Sequence, residues 1–257
     1  MRRIRRPKRV VKAACSLRTK EGNIPFVLAR SSGRRTLTIT VDKHAQVSVA
    51  SPFTMREEEI HGFIHEKARW VLAKTREAQK NRDILSQREF AHGHEFLFLG
   101  KKYKVNVIKL DVKRSRITFD ALKGWSISVP GGLSPEERQA QVKSKMLQWY
   151  RAQAKEILGG RIFHYSRLMG VGPKKIAIRT QKRLWGCCDF NTQTIHLNWQ
   201  IILSPLKVID YVVVHELCHL TIPSHSKRFW KKVEKVMPDF QGYRRWLKIN
   251  HLDMVLP

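Results

Sequence analysis

Two hydrophobic rhythms divide the chain. Its first half alternates apolar and polar residues in short runs, and its second half adds longer stretches with helical spacing. Ile24-Pro25-Phe26-Val27-Leu28, Leu37-Thr38-Ile39-Thr40-Val41 and Val47-Ser48-Val49 have strand texture, because successive side chains of a strand point to opposite faces. Ser31-Ser32-Gly33 and Asp42-Lys43 separate them as turns, which predicts hairpins or a meander. Ser51-Pro52 ends that section. Thr54 is placed to cap a helix whose first turn carries Glu57 and Glu58, where carboxylates complement the helix dipole. Ile60, Phe63, Ile64 and Val71 keep helical spacing to about Gln79, so this helix is expected to cover the sheet. Its two histidines, His61 and His65, are four apart but have no acidic or third histidine near them, and read as surface residues.

Residues 80–92 are polar and read as a link. A second strand group follows: a hairpin over Phe96–Tyr103 turning at Gly100-Lys101, then Val105-Asn106-Val107, Ile117-Thr118-Phe119 and Trp125–Val129. Pro130-Gly131-Gly132 closes it, and the main boundary is placed there. Ser134-Pro135-Glu136-Glu137 opens a helix, with proline in the first turn. Its rhythm through Val142, Met146 and Trp149 ends near Gly159-Gly160, with a further helical turn or two over Ile162–Met169 stopped by Gly170. Lys175–Arg179 reads as a strand, and Leu184–Cys188 with Thr194–Asn198 as a hairpin. Ser204-Pro205 opens another helix. Ser226 caps the next, Pro238-Asp239 breaks it, and a short helix spans Gly242–Ile249. No internal repeat is visible. The fold class is α+β: a basic flexible arm over 1–20, a β-rich domain with a covering helix over 21–133, and a second domain over 134–257 with a small sheet.

One apolar helical run of the second domain carries chemistry. Val212–Leu220 contains His215-Glu216-Leu217-Cys218-His219, the pattern H-E-x-x-H. Residues four apart on a helix share a face, which lets both imidazoles reach one Zn²⁺. Glu216 is turned about 100° away around the axis, given ~3.6 residues per turn. It is better placed to take a proton from water than to be a ligand. A catalytic zinc takes three protein ligands and keeps one position open. His225 is the natural third, because Pro223 ends the helix and a turn brings the chain back. The bland alternative makes His215 and His219 hydrogen-bonded core histidines. Against it stand the third histidine after the break and the cost of burying Glu216 beside them without a role.

Composition adds a charge argument. The chain has 257 residues, 42% of them hydrophobic, enough for one large or two small domains with a real core. Lys and Arg number 50 against 21 Asp and Glu, a net charge of +29, with a pI near 10.5. That balance favours weak nonspecific nucleic-acid binding at low salt over a sequence reader. Cys15, Cys187, Cys188 and Cys218 have no framework spacing and fit reduced thiols in the cytoplasm. The basic N-terminus lacks the apolar core of a signal peptide, and no run is long and apolar enough for a membrane span. Oligomeric state is left open.

Taken together, Arg183-Leu184-Trp185-Gly186-Cys187-Cys188, Ile195-His196-Leu197-Asn198-Trp199, Ile209–Leu220, His225-Ser226-Lys227-Arg228-Phe229-Trp230 and Arg245-Trp246-Leu247 resemble the YgjP-like metallopeptidase family. That family is related to the M48 zincins and more distantly to SprT-like proteases. The resemblance covers roughly residues 24–250. It implies that 134–257 is a zincin-like (gluzincin) metallopeptidase domain acting on peptide or protein substrates. Zn²⁺ would sit on His215, His219 and His225, with Glu216 as general base. One departure stands out: Cys187 occupies a position where the family has Ser, and the change weakens hydrogen bonding there. His196 and Tyr211 are candidate oxyanion stabilisers, though both read better as structural. Asp210 is turned away from the ligand face and reads as the partner of a basic neighbour. Two other classes remain open: a nucleic-acid-associated protein with a structural zinc, and a protease recruited to DNA or ribosomes by its charge.

Overall fold

Where charge suggests a mobile basic arm, the chain forms a strand. β1 (Val10–Thr19) pairs antiparallel with β2 (Gly22–Ser31) along its full length, Val10 opposite Ser31 and Thr19 opposite Gly22. The basic side chains Lys12 and Arg18 lie on one face. Cys15 and Leu17 lie on the other and pack against an apolar core. The computed structural model describes residues 9–42, 44–86, 89–181 and 184–256. Residues 1–8 of the expected arm lie outside them, and the rest of that expectation is corrected.

β3 (Thr38–Val41) and β4 (Val47–Pro52) complete a sheet of order β1-β2-β4-β3, in which β2 and β4 run parallel. α1 (Glu57–Ser86) covers it as expected. Ile60, Ile64, Ala68 and Val71 bury against Ile24, Phe26, Leu28, Val47 and Val49. The helix runs past Gln79, because no proline or glycine interrupts Gln79-Lys80-Asn81-Arg82-Asp83.

The chain divides into units Met1–Gln87 and Arg88–Pro257, not at the 133/134 boundary. Packing explains the difference. β5 (Glu95–Phe98), β6 (Lys101–Leu110), β7 (Arg116–Asp120) and β8 (Gly124–Pro130) form a second sheet of order β5-β6-β8-β7. Its inner face shares one core with α2 (Pro135–Met169). Trp149 of α2 lies 4.8 Å from Phe98, 5.0 Å from Phe119 and 5.4 Å from Trp125, ring centre to ring centre. The Tyr150 hydroxyl donates to the Leu97 carbonyl at 2.7 Å. A change of texture from strand to helix is therefore not a change of core.

α2 opens with a capping box between Ser134 and Glu137 and stops at Gly170, where φ is 63°. It passes unbroken through Gly159-Gly160. A mid-helix glycine costs about 1 kcal/mol relative to alanine. The buried stripe Ala154, Leu158, Ile162 and Tyr165 runs on both sides of the pair and holds the helix together.

The two four-stranded sheets are copies of one pattern. Each has a hairpin, a parallel pairing, an antiparallel closing strand and then a long helix. One sequence offset relates Ile39 to Ile117, Thr40 to Thr118, Asp42 to Asp120, Ser48 to Ser126 and Pro52 to Pro130. The local bonding repeats too. Thr40 and Thr118 donate to the carbonyls of Ser48 and Ser126, and Asp42 and Asp120 each accept two turn amides. The chain thus contains an internal repeat that identity at scattered positions conceals.

The rest of the larger unit builds the site. β9 (Lys175–Arg179), β10 (Gly186–Asp189) and β11 (Thr194–Asn198) form a sheet of order β10-β11-β9, with β10 antiparallel and β9 parallel to β11. A 3-10 turn over Trp199–Leu203 leads to α3 (Leu206–His219). α4 (Lys227–Val236) and α5 (Phe240–Asn250) follow. Ser226 caps α4 as expected, accepting from the Phe229 amide. Pro205 itself is the N-cap of α3, one residue beyond the expected cap. Among the described residues no helix is long and apolar enough to cross a membrane.

Candidate metal centre and active site

α3 is apolar on nearly every side. Val208–Val214, Leu217 and Cys218 are all buried, so the helix is fixed by its own surroundings. Its polar exceptions are pinned individually. Asp210, 1% exposed, receives a two-pronged contact from Arg161 of α2, Nε to Oδ1 at 2.5 Å and Nη2 to Oδ2 at 2.9 Å. This is the basic neighbour the sequence predicts, and it ties the entry of α3 to α2.

His215 and His219 sit one turn apart near the helix end. The chain then leaves the helix through Thr221 and Ile222, whose amides both bond the Cys218 carbonyl. The turn at Pro223 returns His225 to the same place. The three Nε2 atoms are 3.2 Å (His215–His219), 3.2 Å (His219–His225) and 3.0 Å (His215–His225) apart. They form the one group suited to a metal ion among the described residues. Phe229 of α4, fully buried, backs all three rings at 4.4–4.9 Å.

This donor set fits a metal. A tetrahedral ion with nitrogens at ~2.0–2.1 Å holds them ~3.3–3.4 Å apart, close to what is seen. His219 Nδ1 is 3.1 Å from the Ile222 carbonyl oxygen. Donation there puts the Nε2 lone pair inward, so the imidazole is oriented as a ligand. Burial, aided by the neighbouring His219, His225 and Arg244, pushes the His215 pKa down to about 3. Burial also lowers His219, against a raising effect of the Ile222 carbonyl. Both rings are therefore held neutral, the form that binds metal.

Glu216 completes the site. It is 5% exposed, and its Oε2 has no hydrogen-bond partner among the described residues. Burial pushes its pKa up to about 8. A carboxylate is poorly tolerated there without a nearby positive charge, which a bound cation would provide. Its seat is made by Gly186 of β10. A Cβ at that position would lie 2.7 Å from Oε1 and 2.8 Å from Cγ of Glu216. Only a residue without a side chain lets strand and glutamate approach so closely. Gly186 enters the sequence reading only as part of a motif; a glycine inside strand texture is the signal that marks it.

The other candidates fall elsewhere. Cys187 pairs with His196 across the sheet, and its thiol meets Gln181 Oε1 at 3.8 Å. Cys188 lies on the opposite face of the strand, its thiol pushed up to about 11 by burial and by Glu216. Cys218 is fully buried and stands outside the three-histidine group. His196 also stands outside that group, and burial lowers its pKa. Tyr211 packs its ring 5.9 Å from His215 and stacks on Phe240. His61 and His65 form no metal group among the described residues.

A search of curated proteins gives no match. Among solved structures, the metallopeptidase zymogen abylysin of Pyrococcus abyssi is 26% identical, covering 38% of this chain and 99% of its own, with a TM-score of 0.34. The zymogen jannalysin of Methanocaldococcus jannaschii is 20% identical, covering 38% and 94%, with a TM-score of 0.31. The YgjP-like metallopeptidase domain matches residues 35–250, well over half of the chain, so the protein belongs to that family and is a metallopeptidase.

Proposed function

We propose that His215, His219 and His225 hold one zinc ion and that Glu216 is the general base in hydrolysis of peptide bonds. The observation that carries this reading is the convergence of three Nε2 atoms beside the buried Glu216 carboxyl group, whose Oε2 has no hydrogen-bond partner among the described residues. Zinc in such a site supplies Lewis acidity, which acidifies water and polarises a carbonyl. Glu216 accepts the proton of the attacking water and delivers it to the leaving amine. Its burial keeps bulk water from competing for that proton. β10 is an end strand of its sheet and touches Glu216 through Gly186. An extended peptide or protein substrate laid along that edge, which no strand among the described residues pairs, would bring its backbone to the carboxyl group.

A purely structural zinc calls for a fourth protein ligand, and among the described residues the group contains three histidines. The net charge of +29 supports weak nucleic-acid binding beside catalysis. The test is Glu216→Gln, with zinc measured by elemental analysis and cleavage measured on an unfolded protein. Full zinc content with cleavage abolished is expected. Retained cleavage rules out Glu216 as the base.

A further inference from the structure

The far edge of the small sheet carries a groove that catalysis does not use. It has a volume of about 510 Å³ and runs between α2 and β9. Its floor is aliphatic, made by Ile176 and Ile178, and Ile176 is 42% exposed. Arg151 and Lys155 from α2 line it beside the isoleucines, and Arg179, on the opposite face of β9 by strand alternation, borders it. No Asp or Glu lines it. β9 bonds β11 on one side, and no strand among the described residues pairs its other side.

The helix wall is shaped to match. Arg151, Lys155 and Gly159 recur every four residues and so lie along one face. An added Cβ at Gly159 would meet nothing within 4 Å, so internal packing does not require glycine there. The missing side chain leaves the groove open between the cations and the strand. On the same face, Phe163 is 65% exposed.

We propose that this groove docks an extended acidic segment of another protein as an added strand on β9. The unpaired edge would bond the segment's backbone. On the face toward α2, acidic side chains would lay their stems over Ile176 and Ile178 and bring their carboxylates to Arg151 and Lys155, while the intervening side chains would fall on the Arg179 face of the strand. Nucleic acid is disfavoured because the one aromatic side chain lining the groove is Trp199, Phe163 lying outside the lining. Trp199 is 4% exposed, its Nε1 donates to Thr180 Oγ1 at 2.9 Å, and the Arg151 guanidinium lies over its ring. It has no free face on which a base could stack. The proposal is independent of the catalytic reading, because binding is measured without turnover.

The experiment uses the full chain carrying Glu216→Gln, so that the probe stays uncut. Fluorescence anisotropy follows a labelled octapeptide of alternating Glu and Val. Saturable binding is expected, weakened about tenfold by Arg151→Glu with Lys155→Glu. N-methylation of alternate peptide amides should weaken it by at least about tenfold as well, because it removes strand pairing without touching the protein. The alternating Lys and Val peptide should not bind. The proposal is overturned by absence of saturable binding at about 1 mM peptide, by indifference to the charge reversals, or by indifference to N-methylation. Displacement of the acidic peptide by a short single-stranded oligonucleotide, lost with the same charge reversals, would assign the groove to nucleic acid instead.

Discussion

Replacing Gly186 by alanine adds one methyl group at the closest approach between β10 and the glutamate. The new Cβ would stand 2.7 Å from Oε1, 2.8 Å from Cγ and 3.0 Å from Cδ of Glu216. Ordinary carbon contacts begin near ~3.5 Å, so the carboxyl group must move by the better part of an ångström. Two responses compete. The strand can retreat, at a typical overpacking cost of about 1–3 kcal/mol, or the Glu216 side chain can rotate. Rotation is cheaper, because the clash falls on the outer atoms of a flexible chain. A displacement near 1 Å costs about 100-fold in rate when it moves a catalytic group. Gly186→Ala should therefore keep its zinc and lose only a few degrees of melting temperature. Its kcat should fall about 100-fold with KM little changed. A double-mutant cycle separates positioning from general damage. Glu216→Asp alone should be severe, yet in the Gly186→Ala background it should add much less, because the carboxylate is already misplaced. Full kcat in Gly186→Ala, or strict additivity with Glu216→Asp, would refute the argument.

Three further outcomes follow from the same structure. Arg161→Met strands the buried Asp210 carboxylate and should destabilise the fold by about 3–5 kcal/mol; thermal denaturation reads it, and an unchanged melting temperature contradicts the pairing. Phe229→Ala removes the backing of all three imidazoles and should cost about 3–5 kcal/mol, with weaker zinc retention against a chelator. In chelator-stripped protein, Glu216 has a folded pKa raised to about 8 from 4.5, so it binds more protons folded than unfolded between those values and its contribution to stability declines as pH rises through that window. His215, lowered to about 3 from 6.5, binds fewer protons folded, so its contribution declines as pH falls below 6.5. The two slopes oppose each other between pH 4.5 and 6.5. Above 6.5 the decline should be up to about 1.4 kcal/mol per pH unit, should disappear in Glu216→Gln, and should be read from urea midpoints at pH 6 to 9.

What the sequence discloses follows from where the physics is local. The helix around His215 and His219 is readable because periodicity, the motif and the break at Pro223 all lie within a few turns. The return of His225 beside them is readable because Pro223 forces the chain to turn. Other features depend on distant partners. β1 is hidden by its charge, since only pairing with β2 reveals that Cys15 and Leu17 share an inner face. The unbroken α2 is hidden because the stripe that offsets two glycines is buried in a core whose other members lie far away in sequence. The unit boundary is hidden because Trp149 and Tyr150 choose the second sheet as their core. The repeat is hidden because its two copies conserve bonding geometry more than side-chain identity. Gly186 looks like an interruption of strand texture until Glu216 is placed against it.

The third imidazole stands outside the helix that carries the other two, on the short connection into α4. An isolated α3 peptide could therefore offer two nitrogens and would hold an ion weakly. The pocket for the ion comes into being only once α4 is seated by Phe229. An ion held by the three imidazoles would clamp this connection to α3, and an ion that binds the folded chain alone adds RT ln(1 + [L]/Kd) to its stability. Zinc scarcity should consequently register first as loosening of the segment after Leu220, before anything happens to the sheets.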